Sequence, residues 1–233
     1  VSPAARRGGT LVLLGGGEWR GGCRDLDADL LAAAGASEVV VIPAAAAYEH
    51  PERVGERAAA YFGGLGASVR TLPVLHRRDA EDPALAEVVR KARFVHLADG
   101  SPLHLRSVLK GSALFEAVLA AFHGGGVLVA SGAGATLVGD PMVDPRGGAY
   151  TVGLAVVPNL AVFPYHGTAA DHMRERSIDL LPPTAKLVGI DEDTALVRDR
   201  SGSWRVAGAG AVTVYEGRTQ QRYAAGDAVP TLG

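Results

Sequence analysis

The sequence predicts an α/β fold in which a mostly parallel β-sheet is sandwiched between helices. Two observations carry that expectation. Short runs rich in branched aliphatic residues alternate with helical stretches over the first two thirds of the chain. The runs are apolar throughout rather than alternately apolar and polar, as strands covered on both faces require. Strand and helix in regular alternation imply right-handed βαβ units, hence a parallel sheet with helices on its faces.

The elements follow in order. Thr10–Leu14, Glu38–Ile42, Ser68–Leu72, Phe94–Ala98 and Val127–Ala130 read as buried strands. Asp25–Ala34, Pro51–Leu65, Asp82–Lys91 and Ser101–His123 carry Leu, Val, Phe and Ala at helical spacing. Pro51 and Pro83 stand where a first helical turn tolerates proline. Beyond them, Gly153–Val157 and Ala161–Pro164 read as strands and Ala169–Leu181 as a helix. Lys186–Ile190, Thr194–Arg198, Ser203–Ala207 and Ala211–Tyr215 are short strands parted by turn residues such as Arg200-Ser201-Gly202. They predict a C-terminal antiparallel extension on the sheet edge. With no linker, repeat or low-complexity tract, residues 1–233 are expected to form a single domain.

Composition narrows the functional classes. The chain has 233 residues, of which 48% are hydrophobic, and a formal net charge of −2. That size sustains a core without disulfides or structural metal. The charge gives no reason to expect nucleic acid or an anionic membrane as partner. Cys23 is the sole cysteine, so no internal disulfide framework can form, and no Cys/His cluster suggests a metal or another cofactor. The opening VSPAARRGGT and the short apolar run after it do not make a signal peptide or a membrane span. A cytoplasmic location is the expectation. Edge strands in the last third offer a surface for a homodimer.

In parallel sheets ligands bind beyond the carboxyl ends of the strands, so the loops after strands matter most. Gly15-Gly16-Gly17-Glu18 follows the first strand but does not match G-x-G-x-x-G, and a tight turn accounts for it. Cys23, with no histidine nearby in sequence, reads as an ordinary thiol. After the fourth strand, Asp99-Gly100-Ser101-Pro102 can offer the Gly100 N–H to a developing oxyanion, while Ser101 and Pro102 suit a capped helix start. After the fifth, Gly124–Asp140 has the layout of a nucleophile elbow, a sharp strand-to-helix turn lined by small residues. Its central position, where a serine or cysteine would stand, is Gly132. Ser131 is one residue early, and neighbouring residues at such a turn point in different directions. His166 ends a strand-like run and is a candidate base; His172, one turn into a helix, suits an exposed role. Asp191, Glu192 and Asp193 crowd a strand junction and call for a cation, an arginine or a histidine.

Taken together, GGGE, DGSPLHL, the SGAGA elbow, FPYH and GIDEDTAL resemble the dipeptidase E and cyanophycinase family of serine peptidases. The resemblance runs from about Thr10 to about Tyr215. It implies a three-layer sandwich of the class I glutamine-amidotransferase-like type and hydrolysis of short or Asp-containing peptides or isopeptides, without a cofactor. Carried over residue by residue, it puts the nucleophile at Gly132, the base at His166 and the acid at Glu192, with Asp144 as the alternative acid of the dipeptidase branch. The oxyanion donors fall on the N–H groups of Gly100 and Ala133. Ser101, Arg174 and Arg176 are candidates for substrate contact. The chain departs from the family at the nucleophile, which implies an inactive or impaired peptidase. Four readings follow: a natural pseudoenzyme that binds a small ligand or peptide, a chain altered by replacing serine, recruitment of Ser131, or direct activation of water by His166.

Overall fold

The computed structural model describes residues 8–232. The VSPAARR opening therefore lies outside the described residues. Five strands, β1 (Thr10–Leu14), β2 (Glu38–Ile42), β3 (Ser68–Thr71), β4 (Phe94–Leu97) and β5 (Val127–Ser131), pair in parallel in the order β1-β5-β4-β2-β3. Their alternate side chains feed two cores. Val12, Val39, Val41, Phe94 and Val129 pack with α1 (Arg24–Ala34) and α2 (Pro51–Gly63) through Leu30, Val54, Ala58 and Phe62. Leu11, Val40, Val95, Leu97 and Leu128 pack on the opposite face with α3 (Pro83–Lys91), α4 (Pro102–Leu109), α5 (Ala113–His123) and α6 (Ala133–Val138). The three-layer arrangement expected from the alternation is thus present.

Two expectations in this half need correction. β3 is largely exposed, because it is the edge strand of its sheet and is not buried on both faces. The expected helix over Ser101–His123 is two helices. α4 ends at Leu109, and Ser112 caps α5 by accepting the Phe115 N–H at 3.1 Å. A serine that offers its hydroxyl to the backbone starts a new helix more readily than it continues one.

The last third builds a second sheet as well as extending the first. Its strands are β6 (Gly139–Asp140), β7 (Met142–Val143), β8 (Tyr150–Thr151), β9 (Val157–Pro158), β10 (Leu160–Phe163), β11 (Lys186–Ile190), β12 (Thr194–Arg198), β13 (Trp204–Gly208), β14 (Ala211–Glu216) and β15 (Thr219–Ala224). β12 and β13 continue the first sheet beside β1 in antiparallel fashion, as expected. The others do not: β15-β14-β11-β10-β6-β9 is a separate sheet, and β7 pairs with β8. β10 and β11 run parallel, linked through α7 (Asp171–Asp179). Gly153–Val157 is not a strand; only Val157 enters a two-residue pairing. β15, sequence TQQRYA, carries no apolar alternation and is held by its backbone pairing to β14. Among the described residues no helix is long and apolar enough to cross a membrane.

The carboxyl ends of β1, β4 and β5 lie side by side, so the loops Gly15–Glu18, Asp99–Gly100 and Gly132–Ala133 meet at one point. The second sheet joins them there, with the Tyr165 N–H donating to the Gly15 carbonyl at 2.7 Å. Beneath this junction Phe62 is fully buried, edge-on to Phe94 at 5.8 Å and to His96 at 6.4 Å. Phe62→Ala should lower the unfolding free energy by about 3–5 kcal/mol, measured by denaturant titration with an unchanged m-value.

Candidate active site

The elbow is real, and its backbone is strained. Gly132 adopts φ +44° and ψ −99°, a combination that costs any residue with a side chain and recurs at functional turns. Its N–H donates to the Leu14 carbonyl at 3.0 Å, and its own carbonyl accepts the Thr136 N–H at 2.9 Å. The neighbouring strand then supplies an unexpected group. The Asp99 carboxylate reaches across the elbow, and its Oδ1 accepts the N–H groups of Gly100 and Ala133, each at 2.7 Å. The Tyr165 hydroxyl donates to Oδ2. A Cβ built on Gly132 would overlap the Asp99 carboxylate. The two expected oxyanion donors therefore do converge on one oxygen, and that oxygen belongs to Asp99. Gly100 allows the approach: at φ +143° it lies against the Ala45 carbonyl with no room for a side chain.

A buried glutamate–histidine pair backs this arrangement. The Asp99 N–H lies 3.3 Å from both carboxylate oxygens of Glu18. Glu18 Oε2 meets His96 Nε2 at 3.1 Å, with the two side chains 6% and 1% exposed. Such a pair survives burial only because each partner holds the other. The Trp19 ring stands beside His96, with centroids 4.9 Å apart. Asp99, Gly100 and Tyr165 form the shared wall of two cavities. One, of about 290 Å³, is lined by Glu18, Arg20, Glu49 and Arg57. The other, of about 250 Å³, is lined largely by apolar side chains, including Val143, Phe163 and Met173.

The histidine expected to serve this elbow faces elsewhere. His166 is buried, with Nε2 at 2.8 Å from the Tyr215 hydroxyl. Its Nδ1 lies 3.4 Å from Asp191 Oδ1, within ion-pair range but without hydrogen-bond alignment. Burial holds the imidazole below its ordinary pKa, against the opposing pull of Asp191. It lines neither cavity. The side chain that this loop sends to the elbow is Tyr165, which burial and the Asp99 charge keep protonated by raising its pKa.

The remaining candidates are dispersed. Glu192 accepts from the Thr168 hydroxyl at 3.0 Å and pairs with Arg20 at 3.3 Å, so the carboxylate facing His166 is Asp191. Asp144 is held by Arg146, which keeps its carboxyl below the usual range. Ser131 is fully buried and its hydroxyl has no hydrogen-bond partner among the described residues. Ser101 caps α4, accepting the His104 N–H at 3.3 Å. Arg174 binds Asp171 at 2.6 Å and approaches the His166 carbonyl at 3.4 Å, while Arg176 is exposed on α7. His172 is exposed as expected. Burial and the charges of Asp27 and Asp193 push the Cys23 thiol up to about 12, as suits an inert thiol. Sequence reasoning missed Asp99, Tyr165 and Tyr215, and it named Asp191 only within the acidic cluster while giving the acid's role to Glu192. Asp99, Tyr165 and Asp191 adjoin Gly100, His166 and Glu192, which were given roles, and each is the polar residue beside a strand end.

Comparison with known proteins fits this geometry to a family. The profile of Peptidase family S51 matches residues 11–203. A cyanophycinase from Trichormus variabilis is 27% identical over 226 residues, covering 92% of this chain and 76% of that protein. A cyanophycinase from Geminocystis herdmanii is 26% identical over 227 residues, covering 90% and 81%. Among solved structures, a peptidase from an acI-B1 Actinobacterium superposes with a TM-score of 0.85 at 27% identity, covering 95% of this chain and 96% of that one. The matched span covers most of the chain, and the chain belongs to Peptidase family S51.

Proposed function

We propose that this chain binds a small peptide-like ligand in its S51 cleft and does not cleave amides through a serine acyl-enzyme. One observation carries the reading: the elbow residue is Gly132, and the two N–H groups that would stabilise a substrate oxyanion are bonded to Asp99. A serine peptidase needs both a nucleophile and free donors at that place. Ser131 is an unsuitable replacement because it is enclosed in β5 and its hydroxyl makes no hydrogen bond to an imidazole among the described residues. Water activated by His166 is disfavoured as well, since that ring is engaged by Tyr215 outside both cavities.

The ligand class follows from the family and from the cavity chemistry. The relatives are cyanophycinases, and the resemblance in the sequence points to short or Asp-containing peptides and isopeptides. The larger cavity presents both signs of charge, through Glu18 and Glu49 and through Arg20 and Arg57. A zwitterionic dipeptide matches that mixture better than a purely apolar molecule does.

Two experiments test this reading. Incubated with a fluorophosphonate probe, the unaltered protein should remain unlabelled, while calorimetry detects binding of an Asp-containing dipeptide that chromatography recovers intact. Labelling at Ser131, or turnover of the dipeptide, would show the reading to be wrong. Separately, Gly132→Ala should destabilise by about 1–3 kcal/mol, from the strained backbone and the displaced carboxylate. In an Asp99→Gly background the cost should shrink, leaving a coupling above about 0.5 kcal/mol in a double-mutant cycle.

A further inference from the structure

We propose that Asp99 is itself a nucleophile, and that the cleft opens small epoxides through an ester formed on Asp99 Oδ2. This goes beyond the binding reading and shares with it the glycine at the elbow and the two N–H groups bonded to Asp99. The argument begins with the donors. Gly100 N–H and Ala133 N–H, both 2.7 Å from Oδ1, are not available to a substrate carbonyl while Asp99 is in place. They remain positioned to stabilise charge on one acyl oxygen, the one borne by Asp99 Cγ. A carboxylate nucleophile needs this division of labour: one oxygen is held, the other attacks, and the ester is later hydrolysed through a tetrahedral centre whose negative oxygen lies in the donor pair.

The surroundings supply the other parts. The Tyr165 hydroxyl donates to Oδ2, which puts its proton next to the oxygen that would attack. It is a neutral O–H, suited to protonating an oxygen leaving group and ill suited to accepting a halide. Glu18 lines the same cavity as Asp99 and is anchored by His96. On the far side of Asp99, Val143, Phe163 and Met173 offer an apolar cavity of about 250 Å³ for a compact hydrophobic body.

The reaction balances with water as the only co-reactant. Oδ2 attacks a ring carbon, the C–O bond of the epoxide breaks, and Tyr165 gives its proton to the freed alkoxide, leaving an ester and a tyrosinate. Water then adds to Cγ and passes a proton to Glu18. The ester's acyl C–O bond breaks, and the diol departs. Of the two water protons, one ends on the diol oxygen that leaves Cγ, and the other, relayed by Glu18, restores Tyr165. The water oxygen remains in the Asp99 carboxylate.

Styrene oxide is the probe, with the full chain, Asp99→Asn and Glu18→Gln compared by intact-protein and peptide mass spectrometry. In water enriched with oxygen-18, the unaltered protein should release phenylethanediol and take the heavy isotope into Asp99. Glu18→Gln should accumulate one adduct on Asp99, and Asp99→Asn should lose adduct and diol together. A folded protein that shows neither isotope uptake nor an Asp99 adduct would overturn the proposal, as would an adduct undiminished in Asp99→Asn. If Glu18→Gln does not fold, isotope uptake by the unaltered chain decides alone. Fluorophosphonate labelling would count against the binding reading without bearing on Asp99, so the two failures are distinguishable.

Discussion

The site is organised around one carboxylate held by two backbone N–H groups. Each of these donors would carry an unmet hydrogen bond if its acceptor were removed and water were kept out, at a cost of about 1–3 kcal/mol per group. Asp99 satisfies both with a single oxygen, and the Tyr165 hydroxyl takes the other oxygen. Three strand-end loops are thereby fixed to one another. Glycine at position 132 is a structural condition of the arrangement, because any Cβ there would occupy the space that the carboxylate fills. The bare glycine and the carboxylate lying against it are two sides of one steric fact.

How much of this was legible in the sequence depended on the range of the interaction. Four of the five parallel strands were legible because burial on both faces writes an unbroken apolar run, as in EVVVI and VLVA, whereas β3, at the sheet edge, is largely exposed. The elbow was legible because a sharp turn requires small residues next to it. β15 was not: a polar strand whose stability lies in its ladder with β14 leaves no side-chain pattern. Nor was the division of the last third among three sheets, which depends on which backbone edge each strand meets.

Within the site, residue type was readable and direction was not. His166 stands at a strand end as expected, yet a reversal of the chain at Tyr165, with φ +55°, presents the tyrosine to the elbow and turns the imidazole towards Tyr215 and Asp191. The acidic triplet was right to demand a partner, but its members divide. Asp191 faces His166 and Arg222, Glu192 goes to Arg20, and Asp193 accepts from Cys23 through its carbonyl. Such sorting is set by distances of a few ångströms between loops far apart in the chain.

The bond from the Tyr165 N–H to the Gly15 carbonyl has a mechanical meaning. It stitches the end of β10 to the end of β1, so the seam between the two sheets runs through the cleft. A tilt of one sheet against the other would be levered onto the tyrosine ring and pull its hydroxyl away from the aspartate. The relative attitude of the two sheets and the spacing of tyrosine and aspartate are thus one and the same degree of freedom.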